Sequence, residues 1–291
     1  MIRHTNIFQP FLILFFTVAL TAYAAGRAMP DTSGKLLLAA LDKKEKVVFF
    51  TKEANLVFPD ILSGNQDESV DYIENFAIHR RDYIIRTYNN SKKIFPKVAA
   101  IFKKYNLPQE LSVLLALESA FKANAVSKAG AVGYWQFMDI VAKEYGLKVV
   151  AQLSACEKKK LIKKDKKKAV ALFKTMARQK DDRKNFLRST YAAARYLSDR
   201  GRNLNNDILL MVASYNCGIG NVWNAMAGCG KNDPDFWDIN SYLPAETRAY
   251  VMNFIALNVI FNNYEKFTEN TLSYKRVKIR LDNTEQHITD E

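Results

Sequence analysis

From Asp71 onward, apolar residues recur at helical offsets, first Tyr72, Ile73, Phe76, Ile84 and Ile85, then Ile94, Val98, Ile101 and Phe102. That spacing lays an apolar stripe along one side of a helix and predicts helices with one buried face. Further helices are predicted over residues 110–122, 136–145, 157–180, 187–200, 206–216 and 246–262. Residues 25–70 read as mixed, with a β-like patch at Val47-Val-Phe-Phe50 and a loop around Ser63-Gly-Asn65. No strand–turn–strand alternation is read after residue 70, and no repeat of fixed period points to a solenoid. The pattern predicts a mainly α domain behind a short leader.

The first residues read as an address. Arg3 and His4 precede the apolar run Phe11-Leu-Ile-Leu-Phe-Phe-Thr-Val-Ala-Leu20, and Ala22-Tyr23-Ala24 supplies a small-x-small cleavage pattern. The run is shorter than the ~20 residues a membrane span needs. A signal peptide over 1–24, cleaved near Ala24, is therefore expected, with an uncleaved anchor as the competing reading. Export puts the protein in the periplasm or cell envelope, where nucleic acid and ATP are poor partners. The expected organisation is a leader at 25–70, a catalytic domain at 71–265 and a polar tail at 266–291.

Composition narrows the chemistry. The chain is 48% hydrophobic and 25% charged, as ordinary globular domains are. His4, His79 and His287 are the only histidines and form no HExxH pair, which argues against a His-built zinc site. Cys156, Cys217 and Cys229 show no CxxC spacing. Cys217 and Cys229 are near enough in sequence to pair. Gly218-Ile-Gly220 follows a helix and lacks the third glycine of a dinucleotide fingerprint. Neither a metal nor an organic cofactor is implied, and carboxylates remain as the candidate reacting groups.

Charge is concentrated in one place. Residues 157–184 hold eleven Lys and two Arg against four acids, a net +9 of the chain's +13. The run Lys158 to Lys168 continues into an apolar stripe through Leu161, Val170, Phe173 and Ala177, which predicts one basic amphipathic helix. Such a helix is either a solvated face or a contact for an anionic wall polymer or membrane surface.

One carboxylate is out of place. Leu111, Leu114 and Leu115 mark an apolar face, and Glu118 follows them by seven, four and three residues, on the same side. A carboxyl there resists ionisation, so its pKa should rise toward what a general acid needs at neutral pH. The alternative is a buried structural Glu paired with an Arg. Downstream, glycines at 130 and 133 introduce Tyr134, Trp135 and Gln136. Aromatic faces and an amide suit a sugar ring with hydroxyl and N-acetyl groups, although at least one of Trp135 and Phe137 is expected in the core.

These residues form an ordered set of motifs. Leu117-Glu118-Ser119-Ala-Phe121, Ala129-Gly130-Ala131-Val-Gly133-Tyr-Trp-Gln136-Phe-Met138, Asp182-Arg183 with Ser189-Thr190-Tyr-Ala-Ala-Ala-Arg195-Tyr-Leu197, Ser214-Tyr215-Asn216-Cys-Gly218, and Leu243-Pro244-Ala-Glu246-Thr247-Arg248-Ala-Tyr250-Val251 follow one another. Over residues 70–262 the chain resembles the lytic transglycosylases of the lysozyme-like superfamily, especially the membrane-bound D-type. The resemblance implies a lysozyme-like helical fold and cleavage of the β-1,4 bond between N-acetylmuramic acid and N-acetylglucosamine of peptidoglycan glycan strands, leaving 1,6-anhydro ends. It implies Glu118 as the single acid and base. Ser119, Tyr134, Gln136, Phe137, Met138, Tyr215, Asn216 and Tyr250 are the implied substrate-side residues.

The chain also departs from the family pattern. Asp139 stands where Pro is usual, Cys217 where Ala is usual, and the basic stretch at about 150–180 is longer than the usual connection. Asp139 keeps open a hydrolytic muramidase, which needs a second carboxylate. A non-catalytic wall-binding scaffold is the third reading, and retention of Glu118 with its surrounding motifs argues against it.

Overall fold

The computed structural model describes residues 48–150, 153 and 155–281. The expected signal peptide at 1–24 lies outside the described residues, as do residues 25–47 of the leader. In chain order, β1 (Val48–Lys52) and α1 (Gln66–His79) precede α2 (Arg81–Phe102) and α3 (Val113–Ser119). Next come α4 (Asp139–Glu144), α5 (Ala155–Lys164), α6 (Lys166–Arg178) and α7 (Phe186–Asn203). The remainder is α8 (Ile208–Cys217), α9 (Ile219–Cys229), α10 (Phe236–Ile239), α11 (Ala245–Asn262), α12 (Tyr264–Thr268) and β2 (Val277–Leu281). The expectation of a mainly α fold holds. Among the described residues, no helix is long and apolar enough to cross a membrane.

The described residues fall into two compact units, Arg80–Phe254 and a second made of residues 48–79 with 255–281. In the first, α8 is buried along Ile208–Ser214, so it takes the centre, and α7 and α9 pack beside it. Trp135 is fully buried; its Nε1 donates to Thr190 Oγ1 at 3.1 Å and its ring lies 5.7 Å from that of Phe102. Short polar side chains start these helices. Asn185 accepts from Arg188 N and Asp207 from Leu210 N, satisfying amides that the first helical turn leaves unpaired.

In the second unit β1 and β2 pair antiparallel, with Phe50 opposite Ile279. Asn263 Nδ2 donates to Val57 O at 2.6 Å, and Asn55 Nδ2 donates to Thr271 O at 3.0 Å. Residues 277–281 are thus a strand, where the sequence reading had a polar tail. Val277-Lys-Ile-Arg-Leu281 alternates in the way a strand does, and the run is short enough to be passed over.

Three helix boundaries differ from expectation for identifiable reasons. The helix predicted to reach 122 stops at Ser119, because Ala120 and Phe121 both adopt left-handed backbone, φ 47° and 66°. The basic helix predicted over 157–180 breaks in two at Asp165, which is extended and caps α6 by accepting from Lys168 N. Gly218, at φ 83°, ends α8 and starts α9, a helix the sequence reading missed because its glycines and asparagines are weak helix formers.

Candidate active site

Glu118 occupies the last turn of α3, two residues before the left-handed pair. Non-glycine residues pay ~1–2 kcal/mol in that conformation, and three lie close in sequence to the site: Ala120, Phe121 and Gln136, the last at φ 49°. Ending α3 here places the carboxyl at a helix end, while Leu111, Leu114 and Leu115 beneath it are fully buried. Glu118 itself is half-buried.

The phenol of Tyr250, on α11, donates to Glu118 Oε1 at 2.6 Å. Glu246 stands one turn earlier on the same helix, and its Oε1 is buried with no hydrogen-bond partner. These surroundings set the acid. Burial pushes the Glu118 carboxyl up to about 7; the Tyr250 hydrogen bond opposes the rise, and the neighbouring Glu246 adds to it. Burial also raises the Glu246 carboxyl. Tyr215 and Tyr250 are held well above the ordinary phenol range, by burial first and then by the nearby Glu118. Both phenols therefore stay protonated and able to donate.

The other expected residues divide. Ser119 is buried, its Oγ donating to Leu115 O at 3.3 Å. Tyr215 OH donates to Trp135 O at 2.8 Å, which ties α8 to the glycine-rich loop. Asn216 Oδ1 accepts from Thr247 Oγ1 at 2.8 Å, linking the end of α8 to α11. Gln136 Nε2 donates to Ala125 O and Gly133 O, holding its own loop closed. Tyr134 is half-buried with its ring edge-on to Phe186, and Met138 caps α4. Phe137 is buried, with its ring edge-on to that of Tyr196. Trp135 and Phe137 are both core.

Asp139 is not a free carboxylate. It accepts from Nη1 of Arg183, whose side chain is wholly buried. Arg183 also donates through Nε and Nη2 to Asp181, at 3.0 and 2.7 Å, and to the carbonyls of Phe137 and Val150. All five guanidinium N–H groups are thereby satisfied, the condition for burying that charge. Gly133 lies directly against this hub, where a Cβ would sit 2.0 Å from Arg183 O. Cys217 and Cys229 are unbonded thiols, so the pairing considered from sequence does not form.

Glu246, Thr247 and the Arg183 hub were not singled out from sequence as site residues. A signal for Glu246 was present, since it precedes Tyr250 by four residues and so shares its helix face. Among the described residues no cluster of His, Cys, Asp and Glu could hold a metal ion.

This geometry is a half-buried carboxyl, raised to about 7, that accepts from the Tyr250 phenol and lies near Glu246 and Tyr215. Residues 98–236 match the Transglycosylase SLT domain family. The chain is 32% identical over 173 residues to membrane-bound lytic murein transglycosylase D of Escherichia coli K12, and equally to that of E. coli O6:H1. Each match covers 58% of this chain and 32% of the relative, so the chain spans about a third of those proteins' length. Among solved structures, an inactive mutant of lytic transglycosylase Slt from Pseudomonas aeruginosa aligns at 21% identity and TM-score 0.39, over 64% of this chain and 26% of that one. The 70 kDa soluble lytic transglycosylase of E. coli aligns at 17% identity and TM-score 0.41, over 70% and 32%.

Proposed function

We propose that this protein is a lytic transglycosylase that cuts the β-1,4 bond between N-acetylmuramic acid and N-acetylglucosamine in peptidoglycan, leaving 1,6-anhydromuramic acid ends. The observation that carries the reading is Glu118 poised near pKa 7 beneath the Tyr250 phenol. A carboxyl so poised is protonated often enough to donate and basic enough, once ionised, to accept. Glu118 gives its proton to the leaving glycosidic oxygen. The resulting carboxylate takes the proton of the muramic acid C6 hydroxyl as that oxygen bonds to C1. The sugar's own hydroxyl replaces water, and its high effective molarity removes the need for a carboxylate nucleophile. Ser119, Tyr134, Gln136, Met138, Tyr215 and Asn216 are the groups proposed to orient acid and sugar.

The hydrolytic reading loses its first candidate, because Asp139 is engaged by Arg183. Glu246 is the remaining second carboxyl near Glu118, and its Oε1 is buried without a hydrogen-bond partner.

Export through residues 1–24 belongs to the same proposal, since the substrate lies outside the cytoplasm. So does a contact of Lys158–Lys168 with an anionic wall polymer or membrane surface. Glu118→Gln tests the chemistry. Removing a general acid costs ~10²–10⁴-fold, so release of soluble fragments from purified peptidoglycan should collapse while pull-down on insoluble peptidoglycan persists. Release at the parent rate would remove Glu118 from the mechanism.

A further inference from the structure

The basic segment has an architecture that the reaction does not use. Chain leaves the domain after Val150 and returns at Asp181, and the two ends are fastened together. Asp182 N donates to Lys148 O at 2.8 Å, Val150 N donates to Asp181 Oδ2 at 3.2 Å, and Arg183 binds Asp181 and Val150 O. Asp182 accepts from Lys148 N and Arg188 Nη1. The acids at the base are therefore committed to holding it closed, and they do not offset the charge beyond.

Past that base, residues 157–180 carry ten Lys and one Arg against Glu157 and Asp165, a net +9. Asp165 is held by the Lys168 amide and lies near its ammonium. The lysines from 158 to 168 are all exposed. Lysine is a mobile point charge and not a bidentate fork, so this composition follows a field of negative charge and does not read one fixed anion. α5 and α6 bury little of their apolar surface. Ala169 is covered and Leu161, Phe173 and Met176 are half-covered, but Ile162, Val170 and Leu172 remain 43%, 42% and 42% exposed. A soluble polyanion gives those side chains nothing to enter. A bilayer offers anionic headgroups to the lysines and a shallow apolar layer to exposed hydrophobic side chains.

We propose that the α5–α6 arm is a docking surface for a bilayer that carries anionic lipid headgroups. The lysines reach the headgroups, and Ile162 enters beneath them with whichever of Val170 and Leu172 faces the bilayer, since these two lie on different sides of α6. Docking does not depend on the reaction at Glu118.

The test is co-sedimentation of the full chain with vesicles of phosphatidylcholine, alone or mixed with phosphatidylglycerol, at low and high salt. Mixed vesicles should bind the chain, and neutral ones should bind it far more weakly. Lys158→Gln, Lys159→Gln and Lys160→Gln together should weaken binding to mixed vesicles ~100-fold, each lysine being worth ~1 kcal/mol at such a surface. Ile162→Ser, Val170→Ser and Leu172→Ser together should abolish the part of binding that survives high salt, where screening suppresses the charge term. Helical circular dichroism checks that each variant is folded. A chain with 155–178 replaced by a short Gly-Ser linker, joined across the fastened base, provides a second comparison. Parent-like binding by that chain to mixed vesicles overturns the proposal. So does a serine variant that binds as the parent does at every salt concentration, with soluble polyphosphate competing equally against both, since that result assigns the arm to anionic polymer.

Discussion

The site at Glu118 and the arm formed by α5 and α6 treat charge in opposite ways. At the site, one half-buried carboxyl lies near a second carboxyl on α11 and is driven toward its neutral form. On the arm, ten cationic side chains stand in water with two acids among them, and charge remains fully expressed. Burial costs a charge its hydration unless a partner replaces it. The site exploits that cost to set a proton affinity, and the arm avoids it by staying exposed. Arg183, just beyond the arm in sequence, combines both conditions, a buried cation made tolerable by five acceptor contacts.

The comparison can be broken most severely at that arginine. Arg183→Leu leaves Asp181 buried without its cation, and losing one member of a buried pair costs ~3–5 kcal/mol. Urea unfolding should show that loss, with the base of the arm and the loop bearing Gln136 loosened together. An unchanged midpoint would mean that the ion pairs are dispensable.

Next in size is the stability held at Glu118. A carboxyl whose folded pKa is raised from 4.5 to about 7 binds protons more tightly when folded, so stability falls as pH rises from 4.5 through 7. Glu118→Gln keeps the acceptor for Tyr250 and carries no charge. It should therefore be more stable than the parent at pH 8 by up to ~3 kcal/mol, from 1.36 kcal/mol per pKa unit, with the gain vanishing near pH 4. Equal stability at both pH values would show that Glu118 titrates normally.

A finer cut separates the neighbours. Activity should fall on the alkaline side as Glu118 loses its proton. Glu246→Gln removes a like charge, so that limb should move to lower pH; Tyr250→Phe removes the bond that favours the carboxylate, so it should move to higher pH. Opposite displacements in kcat/KM profiles would sharpen the assignment, and parallel ones would refute it. The smallest effect belongs to the arm. Replacing Lys158, Lys159 and Lys160 by Gln should alter the unfolding free energy by no more than ~0.5 kcal/mol, as exposed positions do.

Much of this was legible in the sequence, and what was not has physical causes. Periodicity located α7 closely, because a long helix with one buried stripe leaves the strongest signal, and the continuous apolar run of α8 marked it as a central element. Glu118 stood out since a carboxylate on an apolar face is costly. The burial of Phe137 was not legible, because sequence order along a loop does not say which side is covered. Asp139 kept a catalytic reading only while its partner, 44 residues away, was unknown. Glu246 escaped notice for a similar reason: it is brought near Glu118 only through the Tyr250–Glu118 hydrogen bond, between residues 132 positions apart. The break at Asp165 is local, yet an acid amid lysines looks like charge balance until its carboxylate is seen capping a helix.

The most direct test of the account is the mass of the fragments released from purified peptidoglycan. Single-carboxyl chemistry at Glu118 predicts muropeptides that end in 1,6-anhydromuramic acid, each lighter by one water than its hydrolysed counterpart and absent from the Glu118→Gln digest. Fragments with reducing ends would contradict it, and would make Glu246 the carboxylate responsible for activating water.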